Sequence, residues 1–198
     1  MNADHLEALR VMRFLSAERH APAMARADRG ATIPDEPGLY AWWRRSSEIL
    51  PAVPAAQPVS TDDAALVAGL LYVGISPSRT GGGARLRSRL RQHLEGQIGS
   101  STVRRTLAAL LWQELGLRPR WASTRPGLSK DDQATLSAWQ DEHLRVSWIP
   151  HPAPWAVEHD VIARFGPPLN LAGNTRHPFH RVLAELRARL RQEALERG

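Results

Sequence analysis

The sequence predicts an α/β fold of the α+β kind, a small sheet covered by helices. Three observations carry this. Two short apolar runs, Gly38-Leu39-Tyr40-Ala41-Trp42-Trp43 and Leu70-Leu71-Tyr72-Val73-Gly74-Ile75, are bounded by Pro and Gly and read as strands. Four longer stretches space their apolar residues at helical intervals. The elements follow in the order β-β-α-α-α-β-α-α behind an N-terminal helix, with no internal repeat and no composition break that divides the chain.

Taken in order, Leu6, Leu9, Met12 and Leu15 predict an amphipathic helix over 3–19, packed on the outside. Pro34 and Pro37 break the chain before the first strand. Residues 44–60 hold Pro51, Pro54 and Pro58 among many alanines and read as an insert that loops out. The second strand ends near Ser76-Pro77, and Gly81-Gly82-Gly83 makes a flexible turn. A helix over 84–94 places Leu86 and Leu90 inward. Another over 101–115 opens on a Ser-Ser-Thr cap and carries Leu107, Leu110 and Leu111 as its stripe. Residues 116–130 read as irregular, 130–142 as a short helix and 145–149 as the third strand. Pro154 suits the start of a helix that runs over 155–165 and stops at Gly166-Pro167-Pro168. The last helix, 179–196, turns Val182, Leu183, Leu186 and Leu190 inward.

Composition narrows the function. The 198 residues are 42% hydrophobic and 23% charged, ordinary for a globular chain. No run of about 18 apolar residues exists, so no membrane span is expected, and Asp4, Glu7 and Arg10 interrupt any signal-like N-terminus. The chain has no cysteine, which excludes disulfides, thiolate zinc sites and cysteine nucleophiles. A cytoplasmic location is the default expectation. The net charge is +6 and Lys130 is the only lysine, so nearly all the cationic groups are arginine forks, which match phosphate. From Ala84 to Arg105 six arginines, Arg85, Arg87, Arg89, Arg91, Arg104 and Arg105, face one acid, Glu95. A solvated helix usually mixes signs. Asn174, Arg176, His177 and His180 form a second polar cluster; capping of the last helix and contact with nucleic-acid backbone are its expected uses. Most of the seven tryptophans are expected in the core.

The only two tyrosines, Tyr40 and Tyr72, sit in the two strands, each close to a glycine. Antiparallel pairing can bring them together on one face. Arg89 and His93, four apart, share a helix face beside the Leu86–Leu90 strip, so they border the buried side.

These residues carry a resemblance. Gly38-Leu39-Tyr40 and Tyr72-Val73-Gly74 resemble the two signatures of the GIY-YIG nucleases; Arg89 with His93 resembles the family's helix motif. Glu158 is similar to its metal-binding glutamate and Asn170, after Pro167-Pro168-Leu169, to its asparagine. All five stand in the family's order over roughly residues 37–171. The resemblance implies a three-stranded antiparallel sheet flanked by helices, with the N- and C-terminal helices as extensions of a single domain, 1–198. It implies Tyr40 as general base, Tyr72 positioning water or phosphate, Arg89 on the scissile phosphate, His93 beside Tyr40 and Asn170 supporting the group. Glu158 would hold one Mg²⁺ or Mn²⁺, an ion content with few protein oxygens, and the products would carry 5′-phosphate and 3′-hydroxyl ends. The implied partner is DNA, with RNA open, contacted by Arg85, Arg87, Arg91, Arg104, Arg105, Asn174 and Arg176.

Two departures stand out: leucine and valine replace the isoleucines of the signatures, and thirty-one residues separate the tyrosines. A stand-alone restriction or defence endonuclease, working as a homodimer, is the first functional expectation. A structure-selective repair or recombination nuclease with a partner, and a non-catalytic nucleic-acid-binding module, are the alternatives. A ββα-metal nuclease is excluded, because no His-His or His-Asn pair lies in a hairpin-helix context.

Overall fold

A computed structural model describes residues 3–28 and 30–197; residues 1, 2, 29 and 198 of the expected domain lie outside it. The chain runs α1 (Ala3–Ala17), α2 (Pro22–Ala27), β1 (Gly38–Arg44), β2 (Leu70–Ser76), α3 (Leu86–Glu95), α4 (Thr102–Leu111), β3 (Arg120–Ala122), β4 (Arg125–Gly127), α5 (Lys130–His143), β5 (Leu144–Pro150), α6 (Pro154–Phe165) and α7 (His180–Glu196). A three-stranded antiparallel sheet has the order β2-β1-β5, so the fold is α+β as expected.

The central strand explains its own composition. β1 is covered on both faces, which is why it is apolar without alternation. One face, with Leu39, Ala41, Trp43 and Val73, packs against α1 and α6. The other, with Tyr40, Trp42 and Tyr72, packs against α3, α4, α5 and α7. The register sets Tyr40 opposite Gly74 and Trp42 opposite Tyr72, so the two tyrosines are diagonal neighbours on one face.

Several elements differ from the sequence expectation. α1 is not peripheral: Ala8, Val11, Met12 and Leu15 are fully buried against the sheet, while Leu6 stays exposed. Each large apolar side chain so buried contributes about 1.5–3 kcal/mol. The Pro/Ala-rich insert does not loop out. Arg44 donates to the carbonyls of Ile49, Leu50 and Val53, and the backbone N–H groups of Gln57 and Val59 donate to the carbonyls of Gly166 and Arg164. Asp63, nearly buried, pairs with Arg164 at 2.8 Å. The irregular stretch before α5 contains the β3–β4 hairpin. Of the tryptophans, Trp42 and Trp43 are core, Trp139 nearly so, and Trp112, Trp121, Trp148 and Trp155 are half-buried.

Candidate active site

Two glycines let the sheet and helix close on each other. A Cβ on Gly38 would collide with the carbonyl oxygen of Ile149 and meet Leu86 Cδ1 at 2.5 Å, so α3 could not seat against the start of β1. A Cβ on Gly74 would collide with Tyr40 Oη and come within 2.9 Å of Tyr72 Cε1. Glycine opposite Tyr40 is what leaves room for a tyrosine ring to lie flat across β2.

Tyr40 is 1% exposed and Tyr72 9%, with ring centroids 6.3 Å apart. Tyr40 Oη lies 2.7 Å from His93 Nε2, and Arg89 Nε donates to the same oxygen at 3.4 Å. Arg89 is half-buried and its Nη1 donates to Gln92 Oε1 at 2.9 Å. The face shared by Arg89 and His93 therefore turns toward the tyrosines. His93 is fully buried, and its Nδ1 lies 2.7 Å from Ser101 Oγ, which also accepts the Arg104 N–H as the N-cap of α4.

From the other side of β2, Asn170 grips the strand edge. Its Oδ1 accepts the Val73 N–H at 2.9 Å and its Nδ2 donates to the Val73 carbonyl at 2.8 Å, while the Leu169 N–H donates to the Leu71 carbonyl. This fastens the segment after α6 to the residues flanking Tyr72. A cleft of about 440 Å³ opens there, lined by Tyr72, Glu158, Asn170, Trp155, Thr102 and Arg187. Tyr40 lies behind Tyr72, inside the wall.

Burial holds Tyr40 protonated well above its ordinary range, with the neighbouring Tyr72 adding to this and Arg89 opposing it. Tyr72 is raised too, by burial first, with Arg89 pulling it back. His93 is pushed well below the usual imidazole range by burial and by the charges of Arg89 and Arg104, so it is neutral at physiological pH. Burial also raises Glu158, against the pull of Arg89. Glu158 makes no side-chain hydrogen bond or ion pair among the described residues. A half-buried, uncompensated carboxylate facing an open cleft is a fit for a hard divalent cation that keeps most of its waters. No cluster of three or more His, Asp or Glu exists among the described residues, so the donor set does not suit zinc.

The structure thus gathers Tyr40, Tyr72, Arg89, His93, Glu158 and Asn170. The seven residues expected on nucleic acid divide. Arg104 is a correction: it is 0% exposed, with its guanidinium bound to the carbonyls of Leu94 and Gln133, Ser137 Oγ and Gln140 Oε1. Asn174 is another; it is 7% exposed and donates to the Pro167 carbonyl. Arg87 is half-buried and ties the Ile33 carbonyl to α3. Arg105 is half-buried on the carbonyls of Ile98 and Gly99. Arg85 is half-exposed, and Arg91 and Arg176 are exposed. His177 Nδ1 accepts the Phe179 N–H, the turn that leads into α7.

Three site residues escaped the sequence reading: Gln92, which steadies Arg89; Ser101, read only as a cap; and Arg187, in the cleft. Arg187 had a signal, since it stands four after Leu183 and three before Leu190, both fully buried.

A search of curated proteins and a search of solved structures each found no match. A family model described as the GIY-YIG catalytic domain matches residues 38–193, well over half of the chain and reaching into α7. With that match running from β1 through the residues gathered at the cleft, the chain belongs to the GIY-YIG family, a family of nucleases.

Proposed function

We propose that this protein is a metal-dependent endonuclease that hydrolyses phosphodiester bonds in DNA at the Tyr72–Glu158 cleft. The observation that carries this is the convergence on Tyr40 Oη of Arg89, which donates to it, and of His93 Nε2, 2.7 Å away, next to a cleft holding the unpaired Glu158 carboxylate. Charge forming on that oxygen is stabilised without reorganisation.

Arg89 binds the scissile phosphate with the N–H groups left free by Gln92 and Tyr40, a bidentate match of fork to phosphate. Tyr72, at the cleft wall, orients the attacking water. Tyr40, as phenolate, takes a proton from that water, directly or through another water, as the attacking oxygen bonds to phosphorus. The P–O3′ bond breaks, the 3′ oxygen takes up a solvent proton, and the ends are a 5′-phosphate and a 3′-hydroxyl. Tyr40 returns its proton to solvent. A divalent cation held by Glu158 would neutralise the leaving oxygen, acidify water and offset the carboxylate charge that raises both tyrosines. Asn170 keeps the β2 edge, and so Tyr72, in register with Glu158.

The test is incubation of the protein with supercoiled plasmid in Mg²⁺, Mn²⁺ or EDTA, beside Glu158→Ala. Metal-dependent nicking or linearisation that vanishes in the variant is expected. Salt-sensitive binding without cleavage would overturn the catalytic reading in favour of a binding module.

A further inference from the structure

Beside the cleft, α4, α7 and the β3–β4 hairpin enclose a second cavity of about 600 Å³. Its wall carries four guanidinium groups, Arg105, Arg125, Arg187 and Arg191, together with Trp121. No acidic side chain lines it among the described residues. Arg187 belongs to both cavities, so the two share a wall.

The arginines are gathered at a cost. Arg105 and Arg125 both donate to the Gly99 carbonyl. Burial lowers Arg105, and the charge of Arg125 lowers it further; burial lowers Arg187, and the charge of Arg105 adds to it. Like charges held together without a counter-acid repel, and no acidic side chain among the described residues lines the cavity to offset them. Arg187 makes no side-chain hydrogen bond among the described residues, and Arg191 lies over the Trp121 ring at 5.7 Å. Arg191 and Arg125 are exposed residues. Such a surface is complementary to a chain of phosphates.

We infer that this arginine-lined cavity binds the phosphate backbone of the DNA strand that enters the cleft, with Arg187 as the shared point between them. The inference rests on the nuclease reading for the identity of the polyanion. It assigns α7 and the short hairpin to substrate binding. Of its residues only Arg105 stands in the basic run near α3.

The experiment is a fluorescence-anisotropy titration of a labelled DNA duplex in EDTA over a salt series, which separates binding from cleavage. Wild type is compared with Arg125→Gln, Arg191→Gln and, as a control of equal charge change on α1, Arg13→Gln. All three residues are exposed, so the fold is not at stake. Each cavity variant is expected to weaken binding about fivefold and to reduce the slope of log affinity against log salt by about 0.9, the loss of one phosphate contact. Arg13→Gln is expected to leave the slope unchanged. Equal affinity and slope in wild type and both cavity variants, an equal loss in Arg13→Gln, or no DNA binding by wild type would each overturn the inference. If the slope changes as expected while wild type leaves plasmid uncut with Mg²⁺, the binding site stands and the nuclease reading fails.

Discussion

Tyr40 Oη and His93 Nε2 lie 2.7 Å apart, and the direction of the proton between them is set from the far side of the imidazole. Ser101 Oγ already accepts the Arg104 N–H, and Ser101 is fully buried, so its own hydroxyl proton needs an acceptor. His93 Nδ1, 2.7 Å away, supplies one. Neutral His93 is then expected to carry its proton on Nε2 and to donate it to Tyr40 as that oxygen becomes a phenolate. Ser101→Ala frees the other tautomer, which accepts from Tyr40 and no longer favours the phenolate. Expected is a fall in cleavage rate of about tenfold, worth ~1.4 kcal/mol, with recovery in Ser101→Thr. The ¹⁵N shifts of His93 check the cause: protonated Nε2 in wild type and Ser101→Thr, and a shifted tautomer balance in Ser101→Ala. Unprotonated Nε2 in wild type would sink the assignment.

The same histidine predicts a pH dependence of stability. His93 ordinarily titrates near 6.5, and burial depresses it well below that in the fold. Below 6.5 the unfolded chain binds a proton that the folded one refuses, so stability is lost as pH falls, until the folded value is reached. The contribution has a slope of about 1.4 kcal/mol per pH unit in that window. Denaturant unfolding of wild type and His93→Gln at pH 7 and pH 5 checks it: the variant should lose less stability on acidification. An equal loss would mean that His93 protonates in place.

Gly74 tests the packing of the two tyrosines. Gly74→Ala puts a methyl group into Tyr40 Oη, and overpacking of this kind costs about 1–3 kcal/mol. The ring must move, and a misplaced catalytic group costs about a hundredfold in rate. The expected outcome is a folded protein with near-wild-type far-UV circular dichroism and cleavage reduced by about that factor. Wild-type cleavage would show that Tyr40 can shift without consequence.

The parts of the site legible in the sequence are those where residue type and periodicity speak together. Tyr40 and Tyr72 alternate correctly with their glycines, and Arg89 and His93 fall beside the buried Leu86–Leu90 strip. The failures have a common origin. Arg104 lies within a basic run, yet it stands three, four and seven residues before Leu107, Ala108 and Leu111, on the inward stripe of α4. Charge counted along the chain does not report which face a helix turns inward. Arg187, between the buried Leu183 and Leu190, is hidden in the same way. The β3–β4 hairpin, three residues a side and rich in Arg and Pro, has no apolar alternation to find. The insert is ordered by partners distant in sequence, Asp63 with Arg164 and Gln57 with Gly166, which no local pattern announces.

Glu158 carries an opposite expectation from most charged residues. Burial raises it, so its ionised form is disfavoured in the fold, and the stability associated with it is present at acid pH and lost as pH rises through the raised value. At neutral pH without divalent ions, Glu158→Gln is therefore expected to melt at a higher temperature than wild type. With millimolar Mg²⁺ or Mn²⁺ wild type should gain stability by mass action, about 2.7 kcal/mol at a hundredfold excess over Kd, and the variant should not. Differential scanning fluorimetry with and without ions checks both signs; an equal metal response in the two proteins would remove Glu158 as the ion's anchor.

Arg104 is the arginine whose loss should be felt by the fold rather than by DNA. Its guanidinium is lowered to about 10 by burial and by Arg26, and so remains charged at neutral pH. Four acceptors, from α3 and α5, close around it, and it holds these two helices to α4. Arg104→Ala removes all of these bonds, leaves acceptors buried without donors and opens a void, for a loss of about 3–5 kcal/mol. A large drop in the urea midpoint is expected. Arg104→Gln, which keeps a donor, should lose less, and at a temperature where it is fully folded its salt slope for DNA should equal wild type. A reduced slope in folded Arg104→Gln would return this residue to the substrate surface.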